Sequence, residues 1–289
     1  MKKFVIRVLL FILSLTFFQL GLTMLCLLRE KSYDYKIPTE INKVIIGHSM
    51  TECAVNDTVL INSINISDSG VGFEYTYVKL RKCLNDNLQI DTIILGVKPN
   101  DFTCRKGSEF RTDYLYYKMQ KYLFLFSMRE VSHYYSQPIF YKVLCKIPFE
   151  YVVNTCLFTH LRHHVQDMNI GRFRTNFGHH IGEKADSVVC YDINKYDSVN
   201  IFQDQYFCKI NELCKDHNVH LICVTTPIYT SGNFTCFQKF MYAHGIDYYD
   251  CSNVISDSHY FCDNLHLNPS GANIFTAYID TLFVSKKCK

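Results

Sequence analysis

Short runs of apolar residues, many of them β-branched, recur along the chain, and each is long enough for one buried β-strand. The runs lie at 43–47, 61–66, 91–97, 219–225 and 246–249. The run at 91–97 is apolar on both faces, which is typical of a strand in a parallel sheet that has helices on both sides. The pattern therefore predicts a parallel sheet of about five strands.

Segments between these runs have apolar residues at helical spacing. They predict helices at 73–84 and 199–217, and a last helix that follows Asn268, a favourable N-cap, with Pro269 at its first position. The apolar stripe predicted for this last helix consists of Ile274, Ala277, Tyr278 and Leu282. Because strands and helices alternate, the predicted fold class is α/β, with a doubly wound, flavodoxin-like parallel sheet.

The alternation stops between Phe102 and Ser187, where Tyr, Phe, Leu and His are abundant. Helical spacing fits this stretch better than strand alternation, so we expect a helical insertion at about 102–187. It could cover a site, lie near a membrane surface, or only add apolar packing. The histidine pairs at 163–164 and 179–180 have no carboxylate or cysteine at a suitable spacing, so no metal site is predicted.

The N-terminus contains a long apolar stretch, Val8 to Leu28, with 21 residues and no charge. At about 1.5 Å per residue it can cross the roughly 30 Å hydrocarbon core of a bilayer. No small-residue cleavage site follows it, so residues 1–29 are predicted to be an uncleaved signal anchor. A polar linker at 30–42 would then connect the anchor to a domain at 43–289.

Basic residues flank the apolar stretch on both sides: Lys2, Lys3 and Arg7 before it, and Arg29, Lys31 and Lys36 after it. The positive-inside count alone therefore barely selects an orientation. No second apolar stretch of similar length follows. We expect a single-pass membrane protein whose C-terminal domain lies outside the cytoplasm.

Composition narrows the possible functions. The chain is 48% hydrophobic and 20% charged, which indicates a packed core rather than global disorder. A net charge of +3 is too small for a nucleic-acid-binding surface, so no nucleic-acid partner is expected. The 14 cysteines show no CxxC and no zinc-type spacing. We therefore expect a few disulfides at most, and no cofactor.

Candidate catalytic residues occur near both ends of the predicted domain. Gly47-His48-Ser49 follows the first strand, so a sharp turn there would present Ser49 at the carboxyl edge of the sheet. Asp263 stands three residues before His266, ahead of the last helix. Asp263 could fix the Nδ1–H tautomer of His266 and leave Nε2 free to take a proton from a hydroxyl. Ser49 could instead be a helix cap, and His266 a surface or core histidine.

Taken together, these residues resemble the motifs of the SGNH (GDSL-type) hydrolase superfamily. That family has a serine after the first strand, a glycine after the second, an asparagine after the third and Asp-x-x-His before the last helix. The matching residues are Ser49, Gly70 or Gly72, Asn100, Asp263 and His266. The resemblance covers roughly residues 43–105 and 218–285.

Two positions depart from the family pattern. The residue before the serine is usually Asp, and here it is His48. The third motif is usually Gly-x-Asn-Asp, whereas Asn100 lies two residues further from Gly96. An oxyanion or substrate-binding role for Gly70, Gly72 and Asn100 is implied by the resemblance only, because glycine and asparagine are also ordinary turn residues.

The resemblance implies a serine esterase or O-acyltransferase that works through an acyl-enzyme on Ser49. Membrane-anchored relatives transfer acyl groups to cell-envelope polymers. The implied partners are thus the membrane, an acylated sugar or envelope polymer, and a membrane acyl-donor protein. Two alternatives stay open: a catalytically inactive SGNH-fold protein that serves binding or assembly in the cell envelope, and a structural membrane protein whose aromatic middle binds a partner.

Overall fold

The computed structural model describes residues 1–32, 36–98, 101, 122, 125–127, 129–130, 205–229, 235–243 and 245–287. The predicted insertion at 102–187, apart from a few isolated positions, lies outside the described residues, as do both histidine pairs and Asn100. Helix α1 belongs to one compact unit, and the sheet with the helices packed on it belongs to another.

Helix α1 spans Lys2–Ser32, and its segment Lys2–Leu22 is long and apolar enough to cross a membrane. Its large apolar side chains, such as Phe11 and Phe17, are mostly exposed. The predicted long apolar N-terminal helix is thus confirmed.

Five parallel strands form one sheet in the order β2-β1-β3-β4-β5. They are β1 Lys43–Ile46, β2 Ser63–Asn65, β3 Thr92–Gly96, β4 His220–Thr225 and β5 Asp247–Asp250. This order confirms the predicted doubly wound fold. The winding direction reverses between β1 and β3, so the carboxyl ends of these two strands border the crevice in which open α/β sheets bind ligands.

Helices connect and cover the strands. The described helices after α1 are α2 Ser49–Ala54, α3 Phe73–Asp86, α4 Gln205–Asp216, α5 Thr235–Ala243 and α6 Pro269–Lys287. A short 3₁₀ turn, Ser258–Tyr260, precedes α6. Helix α6 packs against α2, and α3 packs against α4. Helix α5 was not predicted from the sequence.

Both faces of the sheet are buried. Ile45 and Ile94 pack against Phe275 of α6 on one face, and the alternate residues Val44 and Ile93, which point to the opposite face, are also fully buried. This explains why β1, β3 and β4 are largely continuous apolar runs in the sequence rather than alternating ones.

The predicted apolar stripe of the last helix is wrong at three of its four positions, which are exposed, and correct at Leu282, which packs against the core. Ile274 is 45% exposed and Tyr278 is 39% exposed. The buried side instead carries Phe275, Thr276 and Ile279, none of which is exposed. Apolar residues occur on both sides of this helix, so helical spacing alone does not identify the buried side. The predicted cap is correct, because Asn268 Oδ1 accepts the Gly271 N–H at 3.0 Å.

Seven cysteines of the described part are free thiols. All but the half-buried Cys208 are buried, and they are Cys53, Cys83, Cys214, Cys223, Cys251 and Cys262. Thiols in such surroundings act as small apolar groups that fill the core.

Candidate active site

Two glycines let Thr51, in the first turn of α2, lie close to the end of the sheet. A Cβ on Gly96, the last residue of β3, would lie 1.6 Å from Thr51 Oγ1, and a Cβ on Gly47 would lie 2.7 Å from the same atom. Both positions therefore exclude any side chain. The chain turns sharply at Gly47 and presents Ser49 at the carboxyl edge, as predicted.

Ser49 is the first residue of α2, and the preceding residue, His48, is the N-cap. Within the described part of the chain, no side chain caps this helix. The Ser49 hydroxyl is instead 2.9 Å from His266 Nε2. The alternative in which Ser49 serves as a helix cap therefore does not match its contacts.

Asp263 and His266 lie on a tight loop that an antiparallel bridge between Phe261 and Leu267 closes. Asp263 Oδ1 accepts the backbone N–H groups of Leu265 and His266, both at 2.8 Å. The carboxylate also contacts His266 Nδ1, at 2.8 Å from Oδ2 and 2.9 Å from Oδ1. One carboxylate thus fixes both the loop backbone and the imidazole.

The pKa of Asp263 is the result of opposing effects. Burial raises it, but the hydrogen bonds from the His266 ring and from the backbone N–H groups outweigh burial, so the pKa is lowered overall. The carboxylate is therefore charged at neutral pH, and it selects the Nδ1–H tautomer of His266. Nε2 is then left as an acceptor that faces the Ser49 hydroxyl.

Contacts between α2 and α6 hold the serine and the histidine at this distance. The Asn56 N–H, just after α2, donates to Thr276 Oγ1 at 2.8 Å, and Asn56 Nδ2 donates to Asn273 Oδ1 at 2.7 Å. At the start of α6, a Cβ on Gly271 would lie 2.3 Å from the Tyr260 carbonyl oxygen, so only glycine fits. These contacts set the position of the Asp263 loop relative to Ser49, which is 217 residues from His266.

The predicted oxyanion glycines lie on the β2–α3 loop, next to the Ser49 turn. Gly70 has a left-handed φ of +67°, and Gly72 is the N-cap of α3. The Asp68 N–H donates to the Gly47 carbonyl at 3.0 Å, which joins the start of this loop to the turn before Ser49. The structure therefore brings the loop beside the serine, while Asn100 lies outside the described residues.

His48 is unusual because neither of its two buried ring nitrogens has a hydrogen-bond partner among the described residues. Its Nε2 lies 3.6 Å from Asp101 Oδ2, which is too long for a hydrogen bond. Burial lowers the pKa of His48 well below its usual value, and the charges of Lys98 and His266 lower it further. The imidazole next to Ser49 is thus neutral at pH 7.

Sequence reasoning missed Glu52 and Ser69. Glu52 is buried in α2 and accepts a hydrogen bond from Ser69 of the β2–α3 loop. The spacing from Ser49 to Glu52, three residues, places both on neighbouring positions of a helix. That spacing was the only sequence feature that could have pointed to Glu52, because no local pattern marks its partner Ser69.

The fold and this site define an α/β protein with a Ser-His-Asp arrangement at the carboxyl edge of its sheet. Neither a family model nor a curated protein matches the chain. A solved structure from Agrobacterium tumefaciens, of a protein provisionally described as an arylesterase, is similar at 10% identity and a TM-score of 0.36. The match covers 85% of this chain and 99% of that chain. We therefore infer function from the geometry of the site.

Proposed function

We propose that this protein is a membrane-anchored serine esterase or O-acyltransferase of the SGNH type. It acts on an acylated carbohydrate or cell-envelope polymer through an acyl-enzyme on Ser49. The observation that carries the proposal is the 2.9 Å contact between Ser49 Oγ and His266 Nε2, with Asp263 bonded to the opposite ring nitrogen. A serine hydroxyl needs such an adjacent base to act as a nucleophile.

The chemistry follows from these contacts. As Ser49 Oγ bonds to the ester carbonyl carbon, its proton passes to His266 Nε2, and the Asp263 carboxylate stabilises the imidazolium. When the tetrahedral intermediate collapses, the bond to the alcohol breaks, and His266 returns the proton to that leaving oxygen. Water or a sugar hydroxyl then attacks the acyl-Ser49 ester, with His266 again as the base. Hydrolysis and transfer thus differ only in the acceptor.

The oxyanion of the intermediate needs hydrogen-bond donors that are already in place. The backbone N–H of Ser49 and the N–H groups of the loop with Gly70 and Gly72 are the proposed donors, together with the Asn100 amide. Removing one such donor typically lowers the rate by roughly a hundredfold or more.

Helix α1 supports the membrane-anchored part of the proposal. Its apolar segment Lys2–Leu22 has the length and composition of a membrane span. A domain held near a membrane would meet envelope polymers and membrane-bound acyl donors at high local concentration.

The test uses the full chain in detergent with a fluorophosphonate probe and with p-nitrophenyl acetate. We expect the probe to label the wild type, and Ser49→Ala and His266→Ala to lose both labelling and turnover. Matched controls are Ser270→Ala and His259→Ala, which change exposed residues of the same types and should match the wild type.

The inactive binding protein is the competing interpretation. If the wild type is neither labelled nor active on esters and acylated sugars, the enzyme proposal fails. That result would support a binding or assembly role. Labelling that persists in Ser49→Ala would show that a different serine is reactive.

A further inference from the structure

A buried carboxylate connects the nucleophile's own helix to the β2–α3 loop. Glu52 lies one helical turn after Ser49, and only 6% of it is exposed. Its Oε2 accepts a short hydrogen bond from Ser69 Oγ. A carboxylate that has lost its hydration needs such donors, and the loop supplies one.

Further bonds hold the beginning of the same loop. Asn65 Oδ1 accepts the Ser67 N–H at 3.0 Å, and Asn65 Nδ2 donates to the Val55 carbonyl, just after α2, at 2.7 Å. The Asp68 N–H donates to the Gly47 carbonyl, just before α2. The loop is therefore bonded to the chain on both sides of α2. Asn65 Nδ2 also lies within 3.4 Å of the Thr51 and Glu52 carbonyls of α2, and the Glu52–Ser69 bond joins the helix to the residue directly before Gly70.

We propose that Glu52 is a positioning residue which, through Ser69, holds the N–H groups of Gly70 and Gly72 toward an oxyanion at Ser49. The inference rests on the proposed function, since it concerns the same site. Gly70 follows Ser69 directly and has a φ of +67°, in the region where glycine rotates at little cost. Without a fixed Ser69 side chain, the backbone N–H groups after it are free to turn away from the site.

Glu52 acts through geometry and not through its charge. A negative carboxylate disfavours a second negative charge nearby, so its charge alone would slow the reaction. In Glu52→Gln the side-chain amide oxygen still accepts from Ser69 Oγ. This conservative variant should therefore keep kcat close to the wild-type value, which separates positioning from electrostatics.

The test measures kcat and KM for p-nitrophenyl acetate, the rate of fluorophosphonate labelling, and the thermal unfolding midpoint of the full chain in detergent. Ser69→Ala should lower kcat roughly 10- to 100-fold with little change in KM, because oxyanion donors act mainly in the transition state. Ser63→Ala is the matched control. It also removes a buried serine hydroxyl, which donates to the Leu60 carbonyl at 2.8 Å, away from the loop.

The outcomes separate this inference from the proposed function. If Ser69→Ala and Ser63→Ala have equal kcat while the wild type is active, the positioning role is overturned and the esterase proposal stands. A wild type that is neither labelled nor active overturns both. If Glu52→Ala does not fold, the kcat values of Ser69→Ala and Glu52→Gln still test the positioning role. A kcat for Glu52→Gln as low as that for Ser69→Ala also contradicts positioning through the hydrogen bond.

Discussion

At the scale of single residues, Asp263 combines two functions in one carboxylate. Oδ1 accepts two backbone N–H groups that shape the loop, and both oxygens contact His266 Nδ1. The loop conformation and the histidine tautomer therefore depend on the same side chain, and a substitution can separate the two.

Asp263→Asn should preserve the fold and remove most of the activity. The asparagine Oδ1 can still accept the N–H groups of Leu265 and His266. Its NH₂ group, however, favours the tautomer with the proton on Nε2, which then cannot take the Ser49 proton. We expect kcat to fall by roughly a thousandfold or more, with the unfolding midpoint nearly unchanged. Retained activity would show that Asp263 does not set the tautomer.

His48 predicts a pH dependence of stability. Its folded pKa is lowered from 6.5 by burial, with Lys98 and His266 adding to the effect. Between that folded pKa and 6.5, the unfolded chain binds a proton that the folded chain does not. The free energy of unfolding therefore falls as the pH drops below about 6.5, by up to about 1.4 kcal/mol per pH unit.

His48→Gln removes this titration and should flatten that part of the profile. The measurement is chemical unfolding of both proteins at several pH values between 5 and 8. Asp101 and Lys98, which face His48, remain in both proteins. Profiles that stay parallel over the whole range would contradict a neutral, buried His48.

At the scale of elements, the sequence predicts local features well and contacts between elements poorly. The central strands β1, β3 and β4 were predictable because both faces of the sheet are buried there, which makes these strands largely continuous apolar runs. Ser49, Asp263 and His266 could be proposed because each has a recognisable neighbourhood. The short distance between Ser49 and His266 could not be predicted, because it depends on the hydrogen bond between Asn56 and Thr276. The buried face of α6 was missed because both sides of that helix carry apolar residues. The Glu52–Ser69 bond has no local sequence pattern that predicts it.

Thr276→Val tests the α2–α6 contact. Valine has nearly the same shape but leaves the partly buried Asn56 N–H without its acceptor. We expect a loss of about 1–3 kcal/mol in the free energy of unfolding, together with slower labelling of Ser49. Thr281→Val is the control on the same helix, because its exposed hydroxyl bonds only the Tyr278 carbonyl in the described part. It should change stability by less than about 0.5 kcal/mol.

At the scale of the whole molecule, the proposed function requires one particular membrane topology. The proposal places the N-terminus in the cytoplasm and the domain from residue 36 onward outside. A C-terminal alkaline phosphatase fusion, active only outside the cytoplasm, should therefore be active, while the matching green fluorescent protein fusion should be dark. The reverse pattern would place the domain inside and exclude an external polymer as substrate.

The buried cysteines have a consequence for that location. Burial raises the pKa of the Cys83, Cys214 and Cys251 thiols to about 12. Oxidation and disulfide exchange both start from the thiolate, and at pH 7 a thiol with this pKa is ionised in only about one molecule in 100,000. These cysteines are therefore kinetically protected from oxidants. Once the protein has folded, these three thiols can therefore stay reduced even in an oxidising space.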